Sequence, residues 1–188
     1  MWILILGVAL WWAAHLFKRA MPAARGALTE TMGEASKGVI ALALVTSIVL
    51  MVLGYRTAEF VPIYTPAGWT LHLNNLLMLI AVILFGMGSS KGRMRSWFRH
   101  PMLTGFAVWA AAHLLVNGDL ASLMLFGGLL LWAPVTIYLI NSTEPAWDRP
   151  EPGPPAGDVR LVVISGVVFA VIGAIHGWLG PWPFPGGS

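Results

Sequence analysis

Apolar residues run almost unbroken through six stretches of the chain, and charged residues or proline bound each stretch. At roughly 16 to 22 residues each, the stretches have the length of membrane-spanning helices, whereas a spanning strand alternates over about ten residues. The pattern therefore predicts an all-α polytopic membrane bundle of six transmembrane helices. The predicted spans are Trp2–Phe17, Val39–Tyr55, Trp69–Gly88, Pro101–Asn117, Leu120–Ile140 and Val159–Gly180. The first is short, so we expect either that Lys18 and Arg19 extend to the membrane surface or that its helix continues towards Pro22.

Basic residues are concentrated in alternate connections. Ten of the eleven lysines and arginines follow the first, third or fifth span, and only Arg56 lies on the other side. Because basic loops stay in the cytoplasm, this asymmetry predicts that both termini face out. The ten residues are Lys18, Arg19, Arg25, Lys37, Lys91, Arg93, Arg95, Arg99, Arg149 and Arg160.

Composition narrows the function classes. Hydrophobic residues make up 57% of the chain and charged residues 10%, which excludes a soluble domain and makes the lipid bilayer the first expected partner. The net charge of +3 is divided among short loops, so we expect no nucleic-acid partner. The absence of cysteine excludes disulfides, iron–sulfur clusters and covalent haem attachment. Without paired carboxylates in a span, a phosphate loop or an HExxH motif, hydrolases and nucleotide-driven pumps are disfavoured.

The sequence of two connections between spans predicts their local structure. The segment 141–158 contains five prolines and predicts an extended cytoplasmic linker before a sixth span and short tail at 159–188. In the tight join between the fourth and fifth spans, we expect Gly118 to adopt positive φ and Asp119 to cap the next helix, which makes the two spans an antiparallel hairpin. In the sixth span, small residues recur at helical spacing, and we expect them to pack on a neighbouring helix: Gly166, Ala170, Gly173 and Gly177.

Five histidines lie in or beside the spans, where an imidazole needs a partner. The predicted orientation places His72, His113 and His176 in the outer leaflet, and His15 and His100 at the inner boundary. His113 shares one helix face with a row of flat or polar side chains: Met102, Phe106, Trp109 and Asn117. His72 and His113 lie at similar predicted depth, so the two side chains can hold a planar cofactor between them. Haem is the commonest cofactor that two histidines hold, and we therefore predict His72 and His113 as metal ligands. The alternative is that the histidines only hydrogen-bond neighbouring helices together.

Several short motifs resemble the bacterial NnrU family of membrane proteins. They are His15-Leu16, Gly33-Glu34, Lys37-Gly38, Arg99-His100-Pro101, Trp109, Ala112-His113-Leu114 and Asn117-Gly118-Asp119-Leu120. The resemblance covers residues 1 to about 140, and residues 1–140 are therefore the expected NnrU-like five-helix membrane core. NnrU proteins are associated with denitrification and nitric oxide metabolism. They are also similar to plant ζ-carotene isomerases, which use non-covalent haem b to isomerise a cis double bond.

The resemblance implies a haem b protein of the bacterial inner (cytoplasmic) membrane. It places a haem ligand in the segment of His113 and implies His15 as its partner. Because His15 and His113 would differ in depth by roughly 15 Å in straight helices, we predict His72 as the second ligand and keep His15 as the alternative. The predicted cofactor-binding residues are His72, His113, His15, His100, Trp109 and Phe106.

Two function classes follow. In the first, the protein is a haem-dependent isomerase or redox protein acting on a small apolar substrate or on nitric oxide. In the second, it is a non-catalytic membrane factor that assists assembly or regulation of a nitrite or nitric oxide reductase.

Overall fold

The computed structural model describes residues 1–186, so Gly187 and Ser188 at the end of the expected tail lie outside the described part. Within residues 1–186 the fold is all-α, with a short 3-10 turn at Met94–Ser96. The helices are α1 (Trp2–Ala20), α2 (Pro22–Met32), α3 (Ala35–Arg56), α4 (Thr70–Met87), α5 (Pro101–Val116), α6 (Leu120–Thr143) and α7 (Pro155–Leu179). One π-helical turn, Leu123–Gly127, lies inside α6.

Among residues 1–186, five helices are long and apolar enough to cross a membrane: α1, α3, α4, α6 and α7. The sixth apolar helix, α5, is shorter at 16 residues, or roughly 24 Å at 1.5 Å per residue. The extension expected of the first span is present, because α1 continues to Ala20 and ends one residue before Met21. Length and composition thus give five spanning candidates and a shorter apolar helix.

The connection between α1 and α3 is itself helical, which the hydrophobic pattern did not predict. Pro22 occupies the start of α2, where its missing N–H is not needed, and none of the helix's residues is buried. Gly33 ends α2 with φ +55°. An exposed helix between basic residues does not produce a long apolar run, so a search for spans passes over it.

Residues 1–63 and 119–128 form one compact unit. In this unit α1 packs along α3 at very short range, because a β-carbon added at Gly54 would lie 2.6 Å from Cα of Leu4. The start of α6 is held by side chains of both helices. The Trp12 indole donates a hydrogen bond to the carbonyl of Gly128 at 3.0 Å, and the hydroxyls of Tyr55 and Ser122 lie 2.8 Å apart.

The remaining described residues form a second unit. Here α5 packs mainly along α4, where Gly105 lies against Ala81 and Leu84. Helix α7 also packs on the end of α4, and its Leu161 joins Leu84 and Met87 in a buried cluster. We expected spans four and five, which are α5 and α6, to form a hairpin. In the structure α5 packs more extensively against α4 than against α6.

The turn between α5 and α6 confirms one expectation and corrects another. Asp119 caps α6, with its carboxylate accepting the backbone N–H of Ser122 at 3.0 Å. Gly118 does not have positive φ; the positive-φ glycines among the described residues are Gly33 and Gly186. A β-carbon at Gly118 would instead collide with the carbonyl oxygen of Tyr64, so the close approach of two backbones accounts for the glycine.

The predicted linker 141–158 is shorter in the structure, because α6 continues to Thr143 and α7 begins at Pro155. Residues 144–154 have no regular structure, but they are not a free spacer. The Arg99 guanidinium donates hydrogen bonds to the carbonyls of Glu144, Pro145 and Ala146. Arg149 donates to the carbonyl of Ser96 at 2.7 Å. The basic connection between α4 and α5 therefore fixes the linker in place.

The small residues of α7 do not contact a neighbouring helix in the predicted way. Gly173 lies against Phe184 and Gly177 against Trp182, both in the tail that follows α7. Gly166 has open space around it. The predicted helix-packing stripe is therefore wrong: the tail folds back over its last turns, and Leu161 and Ser165 are buried instead.

Candidate functional site

His113 lies in the last turn of α5, and its backbone and side chain are both constrained. Its Nδ1 is 2.9 Å from the carbonyl oxygen of Trp109, one turn earlier. Since a carbonyl only accepts hydrogen bonds, this contact assigns the proton to Nδ1 and the ring lone pair to Nε2. The Asn117 amide also donates to the His113 carbonyl at 2.8 Å. Metal-binding histidines typically have this arrangement, with one nitrogen fixed by a carbonyl and the other facing the metal.

His15 in α1 repeats the same local arrangement in the other unit. Its Nδ1 lies 2.9 Å from the carbonyl oxygen of Trp11, and the two rings are 4.1 Å apart between centroids. The rings of Trp109 and His113 are 4.9 Å apart. Trp109 was predicted from the sequence as part of the site, whereas Trp11 was not. The detectable signal was the Trp-x-x-x-His spacing, which occurs once in α1 and once in α5.

A row of aromatic side chains continues from His113 along α5. Phe106 and Trp109 have ring centroids 5.1 Å apart, so the predicted face of Phe106, Trp109 and His113 is continuous. Trp132 of α6, which is buried, meets the Phe106 ring edge-on at 5.0 Å. Nothing distinguishes Trp132 within the long apolar run of α6, so its contact with Phe106 was not predicted from the sequence. Met102, at the other end of the predicted row, is 65% exposed.

His72 lies on the exposed side of α4. Leu76, one turn along the same face, is 55% exposed, whereas Asn74 on the opposite side is buried. The Asn74 amide donates to Asn75 at 3.3 Å, while its own buried carbonyl oxygen has no partner among the described residues.

The other two histidines have contacts that hold the chain together. Nε2 of His100 is 2.9 Å from the amide oxygen of Asn141, which lies in the last turn of α6. Together with Arg99, His100 therefore connects the start of α5 to the start of the linker. Nδ1 of His176 donates to the carbonyl of Pro181 at 2.8 Å and is exposed, so it closes the tail onto the end of α7.

The donor set limits which cofactor this chain can hold. Within residues 1–186 no group of three or more His, Asp or Glu side chains is placed to bind a metal ion. A haem needs only one or two protein ligands, because the porphyrin supplies the others. A histidine with a fixed tautomer beside flat aromatic rings therefore fits haem, whereas an all-protein metal site is not found in the described residues.

The all-α fold, with several helices long and apolar enough to cross a bilayer, defines a multi-pass membrane protein. The family model described as NnrU protein matches residues 3–183, and the chain belongs to the NnrU family. The match includes the linker and α7, so the expectation that the resemblance stops near residue 140 is wrong, and His176 lies inside the matched region. Among curated proteins and among solved structures, none matches this chain.

Proposed function

We propose that this NnrU protein is an integral haem b protein of the bacterial inner membrane, in which His113 would hold the haem iron. The observation that carries the proposal is the hydrogen bond from Nδ1 of His113 to the carbonyl of Trp109. It fixes the ring orientation and presents Nε2, the arrangement that outer-shell carbonyls provide to metal-bound histidines.

The side chains around His113 support the same function. Trp109 orients the imidazole through its carbonyl and covers one side of it with its ring. Phe106 and Trp132 extend this surface with apolar rings that exclude water. When bound, haem b supplies an iron that accepts an imidazole nitrogen and exchanges electrons or takes up a small ligand.

Two histidines are candidates for a second axial ligand, and different arguments support them. Predicted depth in the membrane supports His72. The family resemblance supports His15, and so does its hydrogen bond to the carbonyl of Trp11, which repeats the arrangement at His113. The bond to Trp11 fixes the ring of His15 as the bond to Trp109 fixes that of His113, but the difference in predicted depth still favours His72 as the partner of His113.

The proposed topology has six spans with both termini outside, and it includes the short helix α5 as a span. It rests on the ten basic residues that follow odd-numbered spans. In this topology α2 lies at the cytoplasmic surface, in agreement with its exposed residues and the basic residues on either side of it.

The proposal is tested by the visible absorption spectrum of the full-length protein, purified from cells supplied with a haem precursor. We expect a Soret band that shifts on reduction and a pyridine extract typical of haem b. His113→Ala should lose the bound haem. The matched control His176→Ala should keep it, because His176 bonds to the tail and not to Trp109.

The same spectra separate the remaining alternatives. Loss of haem in His15→Ala with a normal spectrum in His72→Ala would assign the second ligand to His15, and the reverse result would assign it to His72. A colourless wild-type protein would refute the haem proposal. In that case the function is a non-catalytic membrane factor that assists a nitrite or nitric oxide reductase.

Two reactions agree with a haem in this position. The association of the family with denitrification favours redox chemistry or nitric oxide binding, and the resemblance to ζ-carotene isomerases favours isomerisation of an apolar polyene. Mixing the reduced protein with nitric oxide, and separately with a cis-polyene in detergent, distinguishes them. A spectral change identifies the first, and a change in the isomer ratio identifies the second.

A further inference from the structure

A groove of about 520 Å³ lies between the end of α4 and the start of α7. This volume falls in the range of about 300–1,000 Å³ that is typical of ligand sites. No histidine lines the groove, so it is separate from the proposed haem ligands. Most of its wall is apolar and comes from Val82, Phe85, Leu161, Ile164, Val168 and Ile172.

The charged groups of the groove lie at one end, and Ser165 adds one hydroxyl along the apolar wall. Ser90 and Lys91 follow α4 there, and Arg160 lies near the start of α7. Both basic side chains are exposed, and neither has a carboxylate within ion-pair distance among residues 1–186. The Ser90 hydroxyl oxygen is buried and has no hydrogen-bond partner in the described part of the chain.

The nearby acidic residue does not cancel this charge. Asp158, two residues before Arg160, accepts the guanidinium of Arg93 at 3.1 Å and the backbone N–H of Met94 at 2.9 Å. Its carboxylate is thus already neutralised by Arg93 and held by the loop after α4. The end of the groove keeps two positive charges and a hydroxyl donor without an anionic partner.

We infer that this groove binds one anionic phospholipid. The lipid phosphate lies at Lys91 and Arg160, and the Ser90 hydroxyl donates a hydrogen bond to it. From Arg160 to Ile172 the helix rises roughly 18 Å. This length is close to half of a hydrocarbon core of about 30 Å, so the apolar wall matches one acyl chain in a single leaflet.

The surroundings of the groove agree with a lipid as its occupant. Ile164 is 53% exposed and Val168 is 40% exposed, so the apolar wall is open along its side and a chain can enter from the bilayer. The two basic residues belong to connections on the predicted cytoplasmic side, where anionic lipids attract Lys and Arg. A free phosphate would use only the charged end and leave the apolar wall uncovered.

The test uses the full-length protein in detergent and measures bound lipid by native mass spectrometry. The probes are phosphatidylglycerol and phosphatidylcholine with identical acyl chains. Each basic residue near an anionic lipid contributes on the order of a five-fold preference. Lys91→Gln with Arg160→Gln should therefore lower the preference for phosphatidylglycerol by roughly 25-fold. Lys37→Gln, which removes an exposed lysine already paired with Glu34, should leave the preference unchanged.

A second pair of variants tests the apolar wall without changing charge. Val168→Trp fills the groove and should reduce binding of both lipids, whereas Val167→Trp on the neighbouring exposed position should not. The exchange Lys91→Arg with Arg160→Lys should keep the preference, which shows that the charge-removing variant fails for lack of charge and not for lack of folding. Equal lipid binding in all variants would refute the inference. Displacement of phosphatidylglycerol by millimolar inorganic phosphate would also refute it and indicate a phosphate site.

Discussion

The contact between α1 and α3 provides a direct test of the fold, because the two helices can approach this closely only if residue 54 has no side chain. A β-carbon there would lie 2.6 Å from Cα of Leu4 and 2.9 Å from the carbonyl carbon of Ile3. Ordinary van der Waals contact begins at 3.4 Å, so Gly54→Ala requires the two backbones to separate by at least about 0.8 Å, and the backbone nitrogen of Leu4 is nearer still. No side-chain rotation can relieve a contact between backbone atoms.

The expected cost combines two opposing effects. Overpacking costs roughly 1–3 kcal/mol, and the rigid backbone places Gly54→Ala near the upper end. Alanine recovers up to about 1 kcal/mol through its higher helix propensity. We therefore expect Gly54→Ala to destabilise the protein by about 2 kcal/mol. The matched control is Gly38→Ala in the same helix, where a β-carbon meets nothing within 4 Å, and it should be neutral or stabilising.

The assay is unfolding of the full-length protein in mixed micelles with increasing dodecyl sulfate, followed by circular dichroism. The free energies of unfolding of the two variants should differ by about 2–3 kcal/mol, with Gly54→Ala the less stable. Equal stability of the two variants would mean that α1 and α3 do not approach as closely as described. A stabilised Gly54→Ala would refute the steric reasoning directly.

Three further predictions concern the ends of helices and the connections. Asp119→Ala should lower stability by about 1 kcal/mol in the same assay because it removes the cap of α6. Asp119→Asn should retain most of that stability, and equal loss in both would argue against capping. Arg99→Gln should make residues 144–154 more sensitive to added protease, since the guanidinium holds three linker carbonyls; unchanged cleavage would show that the linker is fixed by other contacts. Reporter fusions after Lys91 and after Ser188 should report inside and outside respectively, and the same location for both would overturn the topology.

The arrangement around His15 and His113 changes how the histidines are ranked. The sequence ranks His72 by its predicted depth, but the local contacts favour the two histidines that follow a tryptophan by one helical turn. A tryptophan at this spacing covers the ring of the histidine, while its backbone carbonyl fixes the proton on Nδ1. The variants His15→Ala and His72→Ala test which of the two arguments, local contact or depth, is right.

The sequence by itself determines that this chain builds apolar helices for a membrane and where most of them lie. Long uncharged runs leave the backbone no partner in lipid except its own helix, so length and hydropathy are sufficient. Local chemistry is also readable, as the capping of α6 by Asp119 shows. The positions of the basic loops follow from the sequence in the same way, because they lie between the runs.

Only the tertiary structure decides which side of each helix faces a neighbour. In a membrane the lipid-facing and the buried sides are both apolar, so hydrophobic periodicity nearly vanishes in α3 and α5 and cannot identify the packed side. For this reason the sequence did not indicate that Asn74 and not His72 is buried in α4, or that Trp132 packs against Phe106. The attachment of the linker by Arg99 is likewise a contact between distant segments, which local sequence patterns do not encode.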